Sequence, residues 1–197
     1  ADLTLELDSK AAAAIKVVAE IKGNGCQEEK SAEFEIPAGE SKVNLILPVE
    51  KPALWWPNGY GDHPLYDIAA KVYVNGKLSD VIATRIGFRD IQWEDTEGAP
   101  NGLKNKFGLV LNGKRIRTMG SCLTVTDLLH GRIGRGGRFF VEMAKECNMT
   151  ALRHHGGQPI MPENMYDACD EMGIMLLFDF PIGNCCLETD DEFLKNL

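Results

Sequence analysis

The sequence predicts a two-domain protein, in which an all-β sandwich is followed by an α/β domain with a parallel sheet. Residues 1–94 hold short alternating segments separated by turns, which is typical of a sandwich. Residues 95–106 are polar and rich in turn-forming residues, as linkers are. From residue 107 to residue 197, short apolar segments alternate with segments of helical periodicity, which indicates a parallel sheet covered by helices.

Alternation of apolar and polar residues marks the strands of the first domain. Leu3, Leu5 and Leu7 recur at period two. Further strands are expected at residues 15–21, 34–36, 43–47, 65–74 and 81–85. Asn75-Gly76 lies between the last two of these and is the strongest short hairpin signal. The spacing of strands and turns therefore predicts a β-sandwich.

The second domain begins with a hairpin and continues as strands and helices in turn. Asn112-Gly113 predicts a second type I′ hairpin. Helical spacing is found over residues 137–146 and again from Pro162 to a capping Gly173, and the segments at 151–153 and 174–178 have the character of strands. Right-handed crossovers place the carboxyl ends of parallel strands at one edge of their sheet. We therefore expect residues 118–122, 151–155 and 174–179 to end together.

Composition and charge argue against some classes of binding partner. The net charge is −8 and the isoelectric point is about 5.1, so clustered basic residues for phosphate contacts are not expected. No apolar run reaches the roughly 18 residues that a membrane span needs. We predict no nucleic-acid partner and no membrane partner, and the charge agrees with a neutral substrate. No signal peptide is recognisable at Ala1, and the sequence leaves the compartment open.

The six cysteines form no C-x-x-C pair, so neither a zinc ribbon nor a redox motif is expected. We predict no metal site and no cofactor. Cys147 and Cys169 are expected as buried thiols on the apolar faces of helices, because cysteine packs as a small hydrophobe. Cys185 and Cys186 are adjacent and are expected as two free thiols beside a loop.

Four polar residues stand where predicted strands end, and they are the candidate substrate-binding residues: Arg153, His154, His155 and Asp179. A buried carboxylate without partners is costly, so Asp179 should face the edge and bind either a ligand hydroxyl or Arg153. The alternative is a structural ion pair with two histidines at the start of a loop. Gly156-Gly157 should let that loop turn sharply.

Two further motifs have a functional and a structural interpretation. The basic, glycine-rich segment 131–138 opens a helix and could bind phosphate there, but its glycine order matches no nucleotide fingerprint. A flexible start to the helix is the interpretation we prefer. Trp55-Trp56 with residues 59–61 could stack on sugar rings, and packing at a domain interface is preferred.

These motifs together resemble glycoside hydrolase family 2. Residues 54–61, 63–66 and 85–89 are similar to the immunoglobulin-like sandwich that precedes the catalytic barrel in that family. Phe107, residues 111–114 and Gly120 resemble the hairpin and first strand of the barrel, and residues 144–149, 152–153, 166–173 and 179–180 continue it. The resemblance implies an immunoglobulin-like sandwich followed by an incomplete (β/α)8 TIM barrel, of which the first three strands are present. The β-mannosidases and their exo-acting relatives are the most similar branch.

The resemblance also implies an activity, namely retaining, exo-acting hydrolysis of terminal β-glycosides. Two carboxyl groups about 5–5.5 Å apart perform that chemistry. In the family the acid/base glutamate ends the fourth barrel strand and the nucleophile ends the seventh. Both would lie beyond Leu197, so no catalytic residue is expected here and the chain alone should be inactive. The alternatives are an exo-β-glucosaminidase or a β-galactosidase within the family, or a non-catalytic carbohydrate-binding or scaffold module.

Individual roles follow from the resemblance. Arg153 resembles the second-strand arginine that hydrogen-bonds the nucleophile, and Asp179 resembles a third-strand carboxylate that binds sugar hydroxyls. His155 falls where β-mannosidase relatives usually have a tryptophan against the sugar. Residues 121–125 also depart from the family's pattern. We expect a terminal β-linked sugar as the partner, and self-association through the open edge of the barrel.

Overall fold

A computed structural model describes residues 1–95, 100, 107–124, 126–183 and 190–195. The chain divides into two compact units. The first comprises Ala1–Trp55 and Pro64–Phe88, and the second comprises Trp56–His63 and Arg89–Leu197. Most of the segment expected as a linker, residues 95–106, lies outside the described residues.

The first unit is a layered β-structure. Its strands are β1 (Asp2–Ser9), β2 (Ala13–Gly23), β3 (Cys26–Ile36), β4 (Gly39–Ile46), β5 (Tyr66–Val74) and β6 (Lys77–Ile86). One antiparallel sheet has the order β3-β2-β5-β6, and a second pairs β1 with β4. The strands predicted from alternation are all present, although most of them are longer than predicted.

The core of the first unit follows from the alternation. Val17, Ala19 and Ile21 of β2 are fully buried, whereas Lys16 and Lys22, which flank this run, are exposed on the opposite face. Side chains of β4, β1 and β5 complete the same apolar cluster. Each fully buried aliphatic side chain contributes about 1.5–3 kcal/mol of hydrophobic stabilisation. The predicted sandwich is thus confirmed as two sheets that share one core.

Both predicted asparagine-glycine hairpins are confirmed by their backbone angles. Asn75 and Gly76 have φ values of 50° and 74°, and Asn112 and Gly113 have values of 52° and 76°. Positive φ at both central residues is the requirement of a type I′ turn, and asparagine and glycine meet it at the lowest cost.

The second unit contains an antiparallel sheet, a parallel sheet and helices. The antiparallel sheet joins β7 (Ile91–Glu94), β8 (Gly108–Leu111) and β9 (Lys114–Ile116). The parallel sheet has the order β10 (Gly120–Leu123), β11 (Ala151–His154) and β12 (Met175–Phe178). The helices are α1 (Ile133–Glu146), α2 (Glu163–Met172) and α3 (Asp191–Lys195). The predicted parallel sheet with alternating helices is confirmed.

The glycine-rich segment lies largely within a helix, which corrects our preferred interpretation. Helix α1 begins at Ile133 rather than at residue 137, so three of the glycines are helical. A Cβ atom added at Gly137 would overlap with Cγ of Met165 on α2. Glycine is therefore needed for the close packing of α1 on α2 and not for flexibility. Val141, Ala144 and Met165 are buried in the core that this packing creates.

The segment Trp56–His63 caps the carboxyl ends of α1 and α2. The Asn58 amide nitrogen donates to the carbonyl oxygen of Gly173 at 2.7 Å. Asn58 Nδ2 donates to the carbonyl oxygens of Lys145 and Met149, each at 3.1 Å. The last carbonyls of a helix have no partner within it, so these bonds satisfy groups that would otherwise need water.

One of the two helical cysteines differs from its predicted environment. Cys169 is buried as expected, and burial raises the pKa of its thiol to about 12. Cys147 is exposed, because α1 ends at Glu146 and the cysteine lies at the C-cap instead of on the apolar face. The expectation for Cys185 and Cys186 lies outside the described residues.

Candidate functional site

The carboxyl ends of the three parallel strands bring the candidate residues to one edge of the sheet. Arg153 on β11 is in register with Cys122 on β10 and with Leu177 on β12. Asp179 follows the end of β12 directly. Because side chains two residues apart on a strand share a face, Asp179 lies on the same side as Leu177 and therefore beside Arg153.

Arg153 and Asp179 form a two-contact ion pair. Arg153 Nη2 donates to Asp179 Oδ2 at 2.6 Å, and Arg153 Nε donates to Oδ1 at 3.4 Å. The hydrogen bond from Arg153 holds the pKa of Asp179 below its usual range, and a backbone hydrogen bond from Gly156 acts in the same direction. The side chains are 46% and 31% exposed, so the pair remains accessible to a ligand. The cluster thus offers an ionised acceptor and a fixed cation at one point.

Cys122 is a member of this cluster that the sequence analysis did not select. Its Sγ lies 3.9 Å from Arg153 Nη1, on the side of the guanidinium away from Asp179. The signal was its place at the end of the first parallel strand, in register with Arg153. A cysteine in an exposed strand end carries no recognisable motif, which is why spacing alone did not identify it.

His155 lies in the same cluster. It lines an open depression together with Arg153, Gly156, Asp179, Phe180, Ile182 and Gly183. Its Nδ1 accepts a hydrogen bond from the Gly157 amide at 3.0 Å, which orients the ring. The structure therefore brings together Arg153, His155 and Asp179, three of the four candidate residues.

Gly156 is required by close approach rather than by an unusual backbone conformation. A Cβ atom at this position would lie 2.6 Å from the carbonyl oxygen of Phe180 and 3.2 Å from Cβ of Asp179. The Gly183 amide also donates to the Gly156 carbonyl at 2.9 Å. The chain turns at Gly156 and Gly157 as expected, but neither has a positive φ, so the turn does not use a conformation reserved for glycine. The loops after β11 and β12 touch here, and this contact closes one side of the depression.

The structure does not bring His154 into the cluster. It is only 3% exposed and points to the side of the sheet that carries the helices. Its ring stacks on Phe178 with the ring centres 4.9 Å apart and the planes at 15°. Burial lowers the pKa of this histidine. Successive side chains of a strand point to opposite faces, so His154 lies on the other side of the sheet from Arg153 and His155.

The tryptophan motif does not present two free rings. Trp55 is 1% exposed and belongs to the core of the first unit. Trp56 belongs to the second unit, where a Cβ added at Gly61 would lie 3.0 Å from its ring. Tyr60 accepts a hydrogen bond from the Arg117 amide at 2.9 Å, and Lys114 Nζ lies 5.2 Å from the centre of its ring. These contacts are those of packed side chains.

The described ranges offer neither a metal-binding cluster nor a membrane-spanning helix. No three His, Cys, Asp or Glu side chains there form a group that could hold a metal ion. No helix in the same part of the chain combines the length and the apolar character that crossing a membrane requires.

Comparison with known proteins places the chain in a family. Residues 1–89 match the model of the glycosyl hydrolases family 2. A β-mannosidase B of Thermothelomyces thermophilus is 34% identical over 157 residues, which cover 78% of this chain and 18% of that protein. The chain belongs to glycosyl hydrolase family 2. The resemblance inferred from the sequence motifs is confirmed.

Two further similar proteins support the same family assignment. A β-mannosidase of Capra hircus is 28% identical over 168 residues, or 83% of this chain and 19% of that protein. The crystal structure of a β-D-mannosidase from Dictyoglomus thermophilum superposes with a TM-score of 0.86 at 25% sequence identity, covering 99% of this chain and 24% of that one. The chain thus spans between 18% and 24% of the length of these three relatives.

Proposed function

We propose that this family 2 chain is part of a retaining, exo-acting β-glycosidase of the β-mannosidase type, in which Arg153, His155 and Asp179 bind the terminal sugar. The Arg153–Asp179 pair carries the proposal. It is a polar, partly exposed ion pair at the carboxyl edge of parallel strands, which is where barrel enzymes bind substrate. β-Mannosidases among the relatives support the choice of sugar.

The parallel sheet of the second unit is proposed as the first three strands of a (β/α)8 barrel, and the first unit as an immunoglobulin-like sandwich. The strand order β10-β11-β12 with parallel neighbours is the order that successive barrel strands have. Superposition of nearly the whole chain on a β-D-mannosidase supports this assignment.

The binding role of Asp179 has a direct chemical basis. An ionised carboxylate accepts hydrogen bonds from sugar hydroxyls, and Arg153 keeps Asp179 ionised over the neutral pH range. The guanidinium has donors on Nη1 that the ion pair leaves directed to the side of Cys122. Arg153 can thus hold Asp179 and still offer donors to a second carboxylate or to the sugar.

His155 distinguishes this site within the family. Its imidazole stands where relatives of the β-mannosidase branch usually have a tryptophan, and it can supply a hydrogen-bonding nitrogen as well as a ring face. A site that gains a donor or acceptor favours a sugar with a matching group. An exo-β-glucosaminidase or a β-galactosidase is therefore the alternative within the family.

The 197 residues alone are proposed to be inactive. The two glutamates that the family uses belong to barrel strands four and seven, and the parallel sheet of the described residues contains three strands. Without a nucleophile and an acid/base group, the covalent step of retaining hydrolysis has no residue to perform it.

The test compares the whole protein with the 197-residue chain on aryl β-mannoside, β-glucosaminide and β-galactoside. We expect turnover by the whole protein, highest on one of the three substrates, and none by the short chain. Preference for the glucosaminide or galactoside would replace the β-mannosidase assignment. Absence of turnover on all three would contradict the glycosidase proposal, and repurified activity in the short chain would contradict the assignment of its residues.

A further inference from the structure

His154 is a polar residue buried among mainly apolar side chains. It is 3% exposed, and its Nδ1 has no hydrogen-bond partner among the described residues. A hydrogen bond with the backbone of Pro159 acts to raise the pKa of the ring. Proline has only a carbonyl to offer, so the ring donates through Nε2. Nδ1 is therefore left as a buried acceptor without a donor.

The space in front of His154 offers no ionic partner to a protonated ring. A small cavity there is lined mainly by apolar side chains, among them Leu123, Ile133, Met161 and Met165. Apart from His154 itself, none of the residues that line it is ionisable. The hydroxyl of Thr126, which also lines the cavity, already donates to the Ile133 carbonyl at 2.9 Å. Thr124 and Gln158 also line it, but no carboxylate does, so a proton added at Nδ1 would place a cation in a small, mainly apolar cavity without an ionic partner.

His154 is joined to the ion pair by three direct links. Its ring stacks on Phe178, the residue before Asp179. Its carbonyl oxygen accepts a hydrogen bond from the Asp179 amide at 3.1 Å. Arg153 is its neighbour in the chain, on the opposite face of β11. Movement of this ring would displace Phe178 and, through it, the backbone that carries Asp179.

We propose that His154 is a positioning residue for the Arg153–Asp179 pair, and that protonation of its ring in acid loosens this pair. The proposal rests on the sugar-binding role given to the pair above. The neutral ring holds Phe178 in place by stacking. The protonated ring needs water or a carboxylate, so it leaves the cavity and the stack is lost.

Burial, more than the surrounding charges, sets the direction of the effect. Asp179 favours the protonated ring and His155 opposes it, whereas burial acts most strongly and lowers the pKa of His154 below its ordinary 6.5. On α2, burial raises the pKa of Tyr166 and of Cys169, so both stay neutral in acid. The unfolded chain therefore binds the proton first as pH falls. The contribution of the neutral His154 ring to the free energy of unfolding is therefore full above pH 6.5. It declines as the pH falls from 6.5 towards the pKa of the ring in the folded protein.

The first test is structural and does not depend on activity. Crystal structures of the whole protein are compared at pH 8 and pH 5, for the wild type and for His154→Phe, which keeps an aromatic ring but cannot be protonated. We expect the Arg153–Asp179 contacts to lengthen at pH 5 in the wild type only. Unchanged contacts in the wild type, or equal lengthening in both proteins, would overturn the proposal. His154→Leu replaces the phenylalanine variant if the latter does not fold.

The second test measures the affinity of the whole protein for mannose between pH 8 and pH 4. Below the pKa of the ring, wild-type affinity should fall about tenfold per pH unit, since one proton then competes with the sugar. His154→Phe should hold its affinity to lower pH. Met161→Leu is the matched control, because it alters the same cavity without removing a titrating group, and it should follow the wild type.

The outcomes separate the two proposals. An acid loss of affinity that persists unchanged in His154→Phe would overturn the role of His154. If the whole protein binds no mannose at any pH, the sugar-binding proposal fails for this ligand. The crystal comparison would then still decide whether His154 positions the pair.

Discussion

Asp179 shows how one residue takes its chemistry from its neighbours. Its carboxylate is not buried, yet the two contacts from Arg153 and the amide of Gly156 keep it ionised and oriented. A sugar hydroxyl that meets this oxygen finds an acceptor already fixed in place. Orientation of this kind is worth more in catalysis than charge alone, because no reorganisation is needed when the ligand arrives.

Removing this charge should weaken the reaction of the whole protein. We expect Asp179→Asn to lower kcat/KM by about 10- to 100-fold, the range typical of losing a positioned, charge-assisted hydrogen bond. Steady-state kinetics on the preferred aryl glycoside measures the change. Glu171→Gln is the matched control, because it makes the same chemical change in an ion pair of similar exposure, 30% against 31%. A loss of the same size in both variants would contradict a special role for Asp179.

Burial should protect the thiol of Cys169 from alkylation. Cys169 is 2% exposed and the pKa of its thiol is about 12, so almost no thiolate exists at neutral pH. In the native protein we expect iodoacetamide to modify Cys147 readily and Cys169 at least about 100-fold more slowly. Peptide mapping by mass spectrometry after timed labelling gives both rates, and urea should equalise them. Comparable rates without denaturant would show that α2 is not packed as described.

At the scale of the element, helix α1 is shaped by its partner more than by its own propensities. Glycine is among the poorest helix formers, and α1 contains three of them. One of these, Gly137, lies where α2 approaches and leaves no space for a side chain. Packing against Met165 therefore compensates for a sequence that would form a weak helix in isolation.

The contact between Gly137 and Met165 predicts that alanine at two adjacent glycines has opposite effects on the free energy of unfolding. Gly136→Ala should stabilise the unit by up to about 1 kcal/mol, since its Cβ would meet only a phenylalanine edge at 3.7 Å. Gly137→Ala should destabilise it, by about 1–3 kcal/mol, because the added methyl overlaps with Met165. Urea unfolding of each variant gives the free energies. Stabilisation by both alanines would mean that the helices are further apart than the structure shows.

On the scale of the whole molecule, the parallel sheet has two open sides. In the described part of the chain β10 and β12 each pair with β11 only, so both present unpaired backbone groups. Leu177 on β12 is 57% exposed. Proteins rarely leave such edges and apolar side chains in water, because they template association.

We therefore expect the isolated 197-residue chain to self-associate. Sedimentation velocity should show a mass that rises with concentration over the micromolar range. Leu177→Lys should reduce the association, since it replaces an exposed apolar side chain on the edge strand with a charge. Lys30→Leu, on the first unit's edge strand β3, should leave that concentration dependence in place. A monodisperse, folded monomer at every concentration would refute the expectation.

Local sequence patterns were enough to predict most of the strands and helices of this protein. The alternation in residues 1–94, the two asparagine-glycine hairpins and the alternation of strands and helices after residue 107 predicted sheets that the structure contains. These features depend on neighbours within a few residues, so the sequence carries them without knowledge of the fold. The convergence of Arg153, His155 and Asp179 also followed, because parallel strands end at one edge by geometry.

Only the tertiary structure decided the features that depend on distant residues. Gly137 and Gly156 are glycines because other parts of the chain pass close to them, and Cys122 contacts Arg153 across a strand pairing. The segment Trp56–His63 belongs with helices whose carboxyl ends lie 87 residues or more after Asn58, which contacts them. Such contacts leave no periodic trace in the sequence, since each is made once, between residues that no local rule relates.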